Sequence, residues 1–174
     1  MTCNEYFEGE EGYLSLLETI LEYGESRNTR TGKTIGIWDA KIHFDLEMGF
    51  PLLTCKKVPW APVVGELLWF LSGSEYIADL KHYTFGDALA DKWTIWTDDM
   101  ERWHKQLGSP KENFGYVGDL YPIQWRNYNR SGVDQIGNLV KSLTNYPQER
   151  NHILMAWNPE AISQNAMCLK PCHL

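Results

Sequence analysis

A chain of 174 residues with 43% hydrophobic and 22% charged residues is long enough to bury a core and too apolar to be disordered. Its net charge of −7 speaks against a nucleic-acid or anionic-membrane surface, because both require a basic footprint. No apolar run approaches a membrane span, and the acidic start (Glu5, Glu8, Glu10, Glu11) is unlike a signal peptide. The four cysteines, Cys3, Cys55, Cys168 and Cys172, form no CxxC pair, so no metal is expected and the thiols read as those of a reduced, cytoplasmic protein.

In chain order, residues 11–23 place Leu14, Leu17 and Leu21 on one helical face, and Gly24 can end that helix. "RNTRTGK" follows as a polar, turn-rich loop carrying two arginines. "TIGIWDAKIHFDL" alternates as two short strands: Ile35 and Ile37 share one phase, Ile42, Phe44 and Leu46 the other. The phase slips at Trp38–Lys41, which predicts a turn or bulge. Neither GxGxxG nor GxxxxGK occurs, so a dinucleotide fingerprint and a P-loop are both unsupported.

"APVVGELLWFLSG" is the strongest helix, with Pro62 in its first turn and Gly73 at its end. It is apolar almost all round, the pattern of a buried helix. One charge interrupts it, Glu66, and a carboxylate in that setting must be partnered or protonated. That makes Glu66 a candidate functional acid beside the plainer reading of a structural carboxylate bonded to a loop. The polar, glycine-punctuated stretch 98–119 reads as a long surface excursion. "VDQIGNLVKSLTNYP" is an amphipathic helix stopped before Pro147, "NHILMAW" a strand and "NPE" a turn. Strands and helices interleave without regular βαβ spacing, so the fold class is α+β.

Several stretches, in this order, resemble thymidylate synthases. They are "RTG" at 30–32, "FPLLTCKK" at 50–57, "GELLWFLSG" at 65–73 and "TIW" at 94–96, then "YPIQWR" at 121–126, "GVDQI" at 132–136, "MAWNP" at 155–159 and "PCH" at 171–173. The resemblance runs from about residue 12 onward, and the superfamily also includes pyrimidine nucleotide hydroxymethylases. It implies one domain over 1–174 with a large mixed, mostly antiparallel sheet and helices packed on one face. It also implies a homodimer joined sheet to sheet.

The implied reaction is methylation of dUMP at C5, with 5,10-methylenetetrahydrofolate as carbon donor and reductant, giving dTMP and dihydrofolate. Cys172 matches the nucleophile: a thiolate adding at C6 turns C5 of the uracil into a reactive carbon. Glu66 matches the glutamate that assists proton movements, Tyr121 a tyrosine beside the C5 proton, and His173 a residue near the pyrimidine O4. Trp96 matches an aromatic wall for the folate, and Arg30 and Arg150 match arginines that clamp the phosphate. Each has a plainer reading: core packing for Cys172, His173 and Trp96, a solvated surface for the arginines.

The sequence departs from the family pattern in three places. Asn151 follows Arg150 where a second arginine is usual, Pro122 replaces a glycine after Tyr121, and Thr97 replaces an acidic residue after Trp96. The family's segment beyond the cysteine is also missing from these 174 residues. Its lack implies an incomplete base-recognition site and fewer central strands. Two other activities therefore stand beside the synthase: a dUMP or dCMP hydroxymethylase, and a non-catalytic homologue that acts by pairing with a partner.

Overall fold

The structure, a computed structural model, describes residues 7–29, 32–86, 91–107 and 115–163. It contains two compact units, Met1–Val58 and Pro59–Leu174.

The first unit is built on helix α1 (Gly9–Tyr23), which packs against three short strands. Strand β1 (Phe7–Glu8) runs parallel to β4 (Ile42–His43), with Phe7 opposite Ile42. Strands β2 (Glu25–Thr29) and β3 (Gly32–Gly36) form an antiparallel hairpin in which Ser26 faces Ile35 and Arg27 faces Thr34. Gly24 ends α1 as expected, its N–H reaching the Ile20 carbonyl at 2.9 Å.

The expected phase slip is real: the chain bends at Trp38–Asp39, and Asp39 adopts φ 58°. Two expectations are corrected here. Residues 27–29 belong to a strand rather than a loop; every β2 residue is exposed, so no apolar alternation marks it. The second run of alternation stops at His43, and Leu46 opens a 3-10 helix (Leu46–Met48) whose start is tied by Glu47 N–H to Asp45 Oδ1 at 2.9 Å.

A carboxylate organises the loop after this turn. Glu10 accepts hydrogen bonds from the Thr54 hydroxyl at 2.6 Å and from the Thr54 and Cys55 amides at 2.5 Å each. The Thr54 hydroxyl first, and then the Cys55 amide, hold its pKa down to about 2.

The second unit is helical. Helices α2 (Trp60–Ser72), α3 (Ile77–Phe85) and α5 (Tyr121–Arg126) pack together, and α6 (Gln135–Asn145) lies against α5. Pro62 sits in the first turn of α2, and Gly73 closes it in the left-handed region at φ 78°. The core gathers Trp69, Phe70, Ile77, Leu80, Met100, Val117, Leu120 and Tyr121.

Helix α2 is buried on one side only. Trp69 and Phe70 face the core, whereas Leu67, Leu68 and Leu71 stay exposed, because the packing partners of α2 within the unit, α3 and α5, cover a single face. Leu14, Leu17 and Leu21 of α1 are exposed as well. No helix among the described residues is long and apolar enough to cross a membrane.

The stretch read as a surface excursion contains helix α4 (Thr97–Leu107). Asp98 and Asp99 in its first turn and Lys105 in its last complement the helix dipole. Met100 and His104, one turn apart, bury its inner edge. The "NPE" turn opens helix α7 (Pro159–Ser163), capped by Asn158 Oδ1, which accepts the Glu160 amide at 3.1 Å. "NHILMAW", expected as a strand, forms none among the described residues, and the Ile153 N–H turns back to the Asn151 carbonyl at 3.0 Å. A side chain serves instead: the Gln135 amide donates to the Met155 carbonyl at 2.8 Å and accepts the Met155 N–H at 3.0 Å.

Two outcomes follow. A Cβ on Gly65 would stand 2.7 Å from the Thr84 Cα, backbone that cannot yield. Although alanine is the better helix former, Gly65→Ala is expected to destabilise by about 1–3 kcal/mol in urea unfolding, because α2 and α3 must separate. Glu10 ionises below its ordinary 4.5 in the folded chain. Its stabilising effect is therefore full above that value, declines as pH falls from 4.5, and is gone below about 2. Melting curves should show the Tm gap between wild type and Glu10→Gln constant near neutrality and closing across that window.

Candidate active site

Two of the site residues read from the sequence meet directly. Glu66 lies half-buried on α2, on the side that also carries Gly65, Trp69 and Phe70. Its Oε1 accepts the indole N–H of Trp96 at 2.5 Å. The carboxylate that had to be partnered is partnered by a neutral donor 30 residues away.

Trp96 is held at the start of α4. The Thr97 N–H reaches the Thr94 carbonyl at 3.0 Å, the Met100 N–H reaches the Trp96 carbonyl at 3.0 Å, and the Thr97 hydroxyl accepts the Thr94 N–H at 3.0 Å. Thr97, where the family pattern has an acid, thus fastens the turn that carries Trp96.

Tyr121 joins them through rings. It is buried at the first position of α5, 4.7 Å from the Phe70 centroid, 6.0 Å from Trp125 and 6.2 Å from Trp96, edge-on to the last at 85°. Trp69 and Phe70 close on Trp96 at 5.5 and 6.1 Å. Pro122 falls in the first turn of α5, where an N–H has no intrahelical partner, so replacing glycine there removes no hydrogen bond of the helix.

Behind Tyr121, the fully buried Gln124 donates to the Asp119 carbonyl at 3.0 Å. It also accepts from the Asn129 amide and the Asn158 side chain, both at 3.3 Å.

Phe70, Trp125 and Gln124 were not singled out from the sequence. The signal was spacing: Phe70 lies one turn after Glu66, and Trp125 one turn after Tyr121, so each shares a helical face with a site residue.

Arg150 is exposed in the loop after α6, outside this cluster, beside exposed Asn151. Cys172, His173 and Arg30 lie outside the described residues. Among the described residues, no three His, Cys, Asp or Glu side chains gather as a metal site would.

The assembled group is a carboxylate with one oxygen fixed by an indole, next to a buried phenol, in an aromatic shell. Flat π-systems pack well against such a shell, and its low polarity strengthens proton transfers to and from the two acids.

The thymidylate synthase family model matches residues 11–174. This chain belongs to the thymidylate synthase family. It is 45% identical over 162 residues to the probable thymidylate synthase of Escherichia phage T5, covering 92% of this chain and 55% of that protein. It is 37% identical over 163 residues to the thymidylate synthase of Enterobacteria phage T4, covering 93% and 54%. The T4 thymidylate synthase crystal structure superposes with a TM-score of 0.80 over 93% of this chain and 54% of that one. The α+β fold is therefore that of a thymidylate synthase, and the chain spans about half the length of the relatives it matches.

Cys55, on the turn held by Glu10, is free and exposed. The hydrogen-bonded Glu10 carboxylate pushes its thiol above the ordinary value, so it is a poor nucleophile. Iodoacetamide should label Cys55 slowly at neutral pH, and Glu10→Gln should speed that labelling, as followed by peptide mass spectrometry.

Proposed function

We propose that the protein acts as a thymidylate synthase: reductive methylation of dUMP at C5, giving dTMP and dihydrofolate. The observation that carries this reading is the Glu66–Trp96–Tyr121 grouping, a carboxylate and a phenol in an aromatic shell, on a chain of this family.

The chemistry assigns the residues as follows. The Cys172 thiolate adds to C6 of the pyrimidine, and the electron pair of the C5–C6 double bond moves toward C5 and O4, which makes C5 nucleophilic. His173 lies next in sequence to that thiol and would stand near O4.

Glu66 moves protons between water, base and cosubstrate. Its Oε1 accepts from Trp96, and its Oε2 has no protein partner among the described residues. Tyr121, with water, takes the C5 proton once the new bond has formed, and its dry aromatic surroundings suit a group that must hold one proton position. Loss of the folate nitrogen from the new methylene, hydride transfer to that carbon and expulsion of the cysteine then restore the ring and leave a methyl group at C5.

The cosubstrate 5,10-methylenetetrahydrofolate supplies the carbon and the hydride. The half-buried indole of Trp96 offers a flat ring system an edge fixed by Glu66. Arg30 and Arg150 would clamp the nucleotide phosphate, for which planar guanidinium groups are suited; Arg150 stands exposed.

We further propose that both compact units belong to one family domain, since the match from 11 to 174 runs across them. A homodimer in the cytoplasm fits the exposed leucines of α1 and α2 and the free thiol of Cys55.

The test is covalent trapping. Fluorine at C5 cannot leave as a proton does, so incubation with 5-fluoro-dUMP and methylenetetrahydrofolate should leave an adduct visible in the intact mass. The adduct should map to the Cys172 peptide and vanish in Cys172→Ala. A wild-type protein that remains unmodified overturns the proposal.

A further inference from the structure

Trp96 meets Glu66 through its N–H rather than by ring stacking alone. That N–H has one direction available. The backbone of Trp96 is fastened by the Thr94–Thr97 turn, and its ring is wedged edge-on against Trp69, Phe70 and Tyr121 at 73°, 90° and 85°. Glu66, by contrast, ends a flexible side chain on a helix that is apolar on every side, with no charged neighbour in α2 to orient it. The rigid partner therefore sets the flexible one. A neutral donor also fixes a carboxylate without neutralising its charge, which an arginine or lysine would do.

We propose that Trp96 is the positioning residue of Glu66: its indole N–H holds Oε1 and directs proton exchange to Oε2. The inference deepens the synthase reading and rests on it. It differs from the role of an aromatic wall, which needs only the ring.

Trp96→Phe separates the two, because phenylalanine keeps a ring in the shell and removes the donor. If Trp96 acts through Glu66, kcat should fall on the order of tenfold to a hundredfold, the range for a misplaced catalytic group, while KM for the folate changes little. In a Glu66→Gln background the same substitution should add little further loss, since its route is already cut. A raised folate KM with kcat preserved, or losses that multiply in the double variant, overturns the proposal.

A second measurement needs no turnover. The Trp96 indole resonance, assigned by its disappearance in Trp96→Phe, should lie downfield in the ¹H–¹⁵N spectrum. It should move upfield in Glu66→Gln, where a neutral amide oxygen replaces a carboxylate. An indole resonance indifferent to Glu66→Gln overturns the proposal even if the enzyme is active. A responsive resonance in a protein that forms no fluoro-dUMP adduct upholds the bond and rejects the synthase reading.

Discussion

Phe70 is the contact on which the second unit depends. Its ring lies within 4.7–6.1 Å of four others: Trp69, Trp96, Tyr121 and Trp125. These come from α2, the turn before α4, and α5, so one side chain brings three segments into register. Aromatic rings supply large buried area, and their edge-to-face preference adds directionality that aliphatic packing lacks. The same cluster is both the core and the wall of the candidate site. Substitutions that loosen the core therefore also move Glu66 and Tyr121, and stability and geometry cannot be tuned separately there.

Around this cluster, polar side chains do work usually left to backbone pairing. Gln135 bonds both polar groups of Met155 and also reaches the Gln124 carbonyl at 2.6 Å. Gln124, Asn129 and Asn158 exchange amide hydrogen bonds, and Asn129 extends the chain to Glu160 at 2.8 Å. The turn that carries Asn129 holds two successive non-glycine residues at positive φ, Asn129 at 49° and Arg130 at 55°.

Such a backbone needs outside support, and Arg130 supplies it through Glu75, Asp119 at 2.5 Å and the Tyr116 hydroxyl at 3.0 Å. Burial first, and then the Glu75 carboxylate, push the Tyr116 phenol up to about 12, so it remains a neutral hydrogen-bonding group throughout the working pH range. Amide pairs bind without charge and hold their geometry at any ordinary pH, which suits a scaffold beneath the candidate site.

The local signals in the sequence were reliable where one side chain or one glycine decides the outcome. Gly24 and Gly73 end their helices, Pro62 takes a first turn, and the slip in alternation at Trp38–Lys41 marks a bend. Helix α4 escaped notice because its buried edge is thin, and a helix with two buried contacts in a polar stretch looks like a loop. Strand β2 escaped because every residue in it is exposed.

What the sequence determined by itself is helices α1, α2 and α6, the glycines that end the first two, the α+β class and the identity of the acid in the apolar helix, most of them properties of residues within a turn or two of each other. Only the tertiary structure decided which face of α2 is covered, why "NHILMAW" pairs with a glutamine, and that Glu66 is partnered by Trp96. The last two rest on contacts between residues 20 and 30 apart and the first on contacts more distant still, whose formation depends on how the helices pack and leaves no period or cap in the chain.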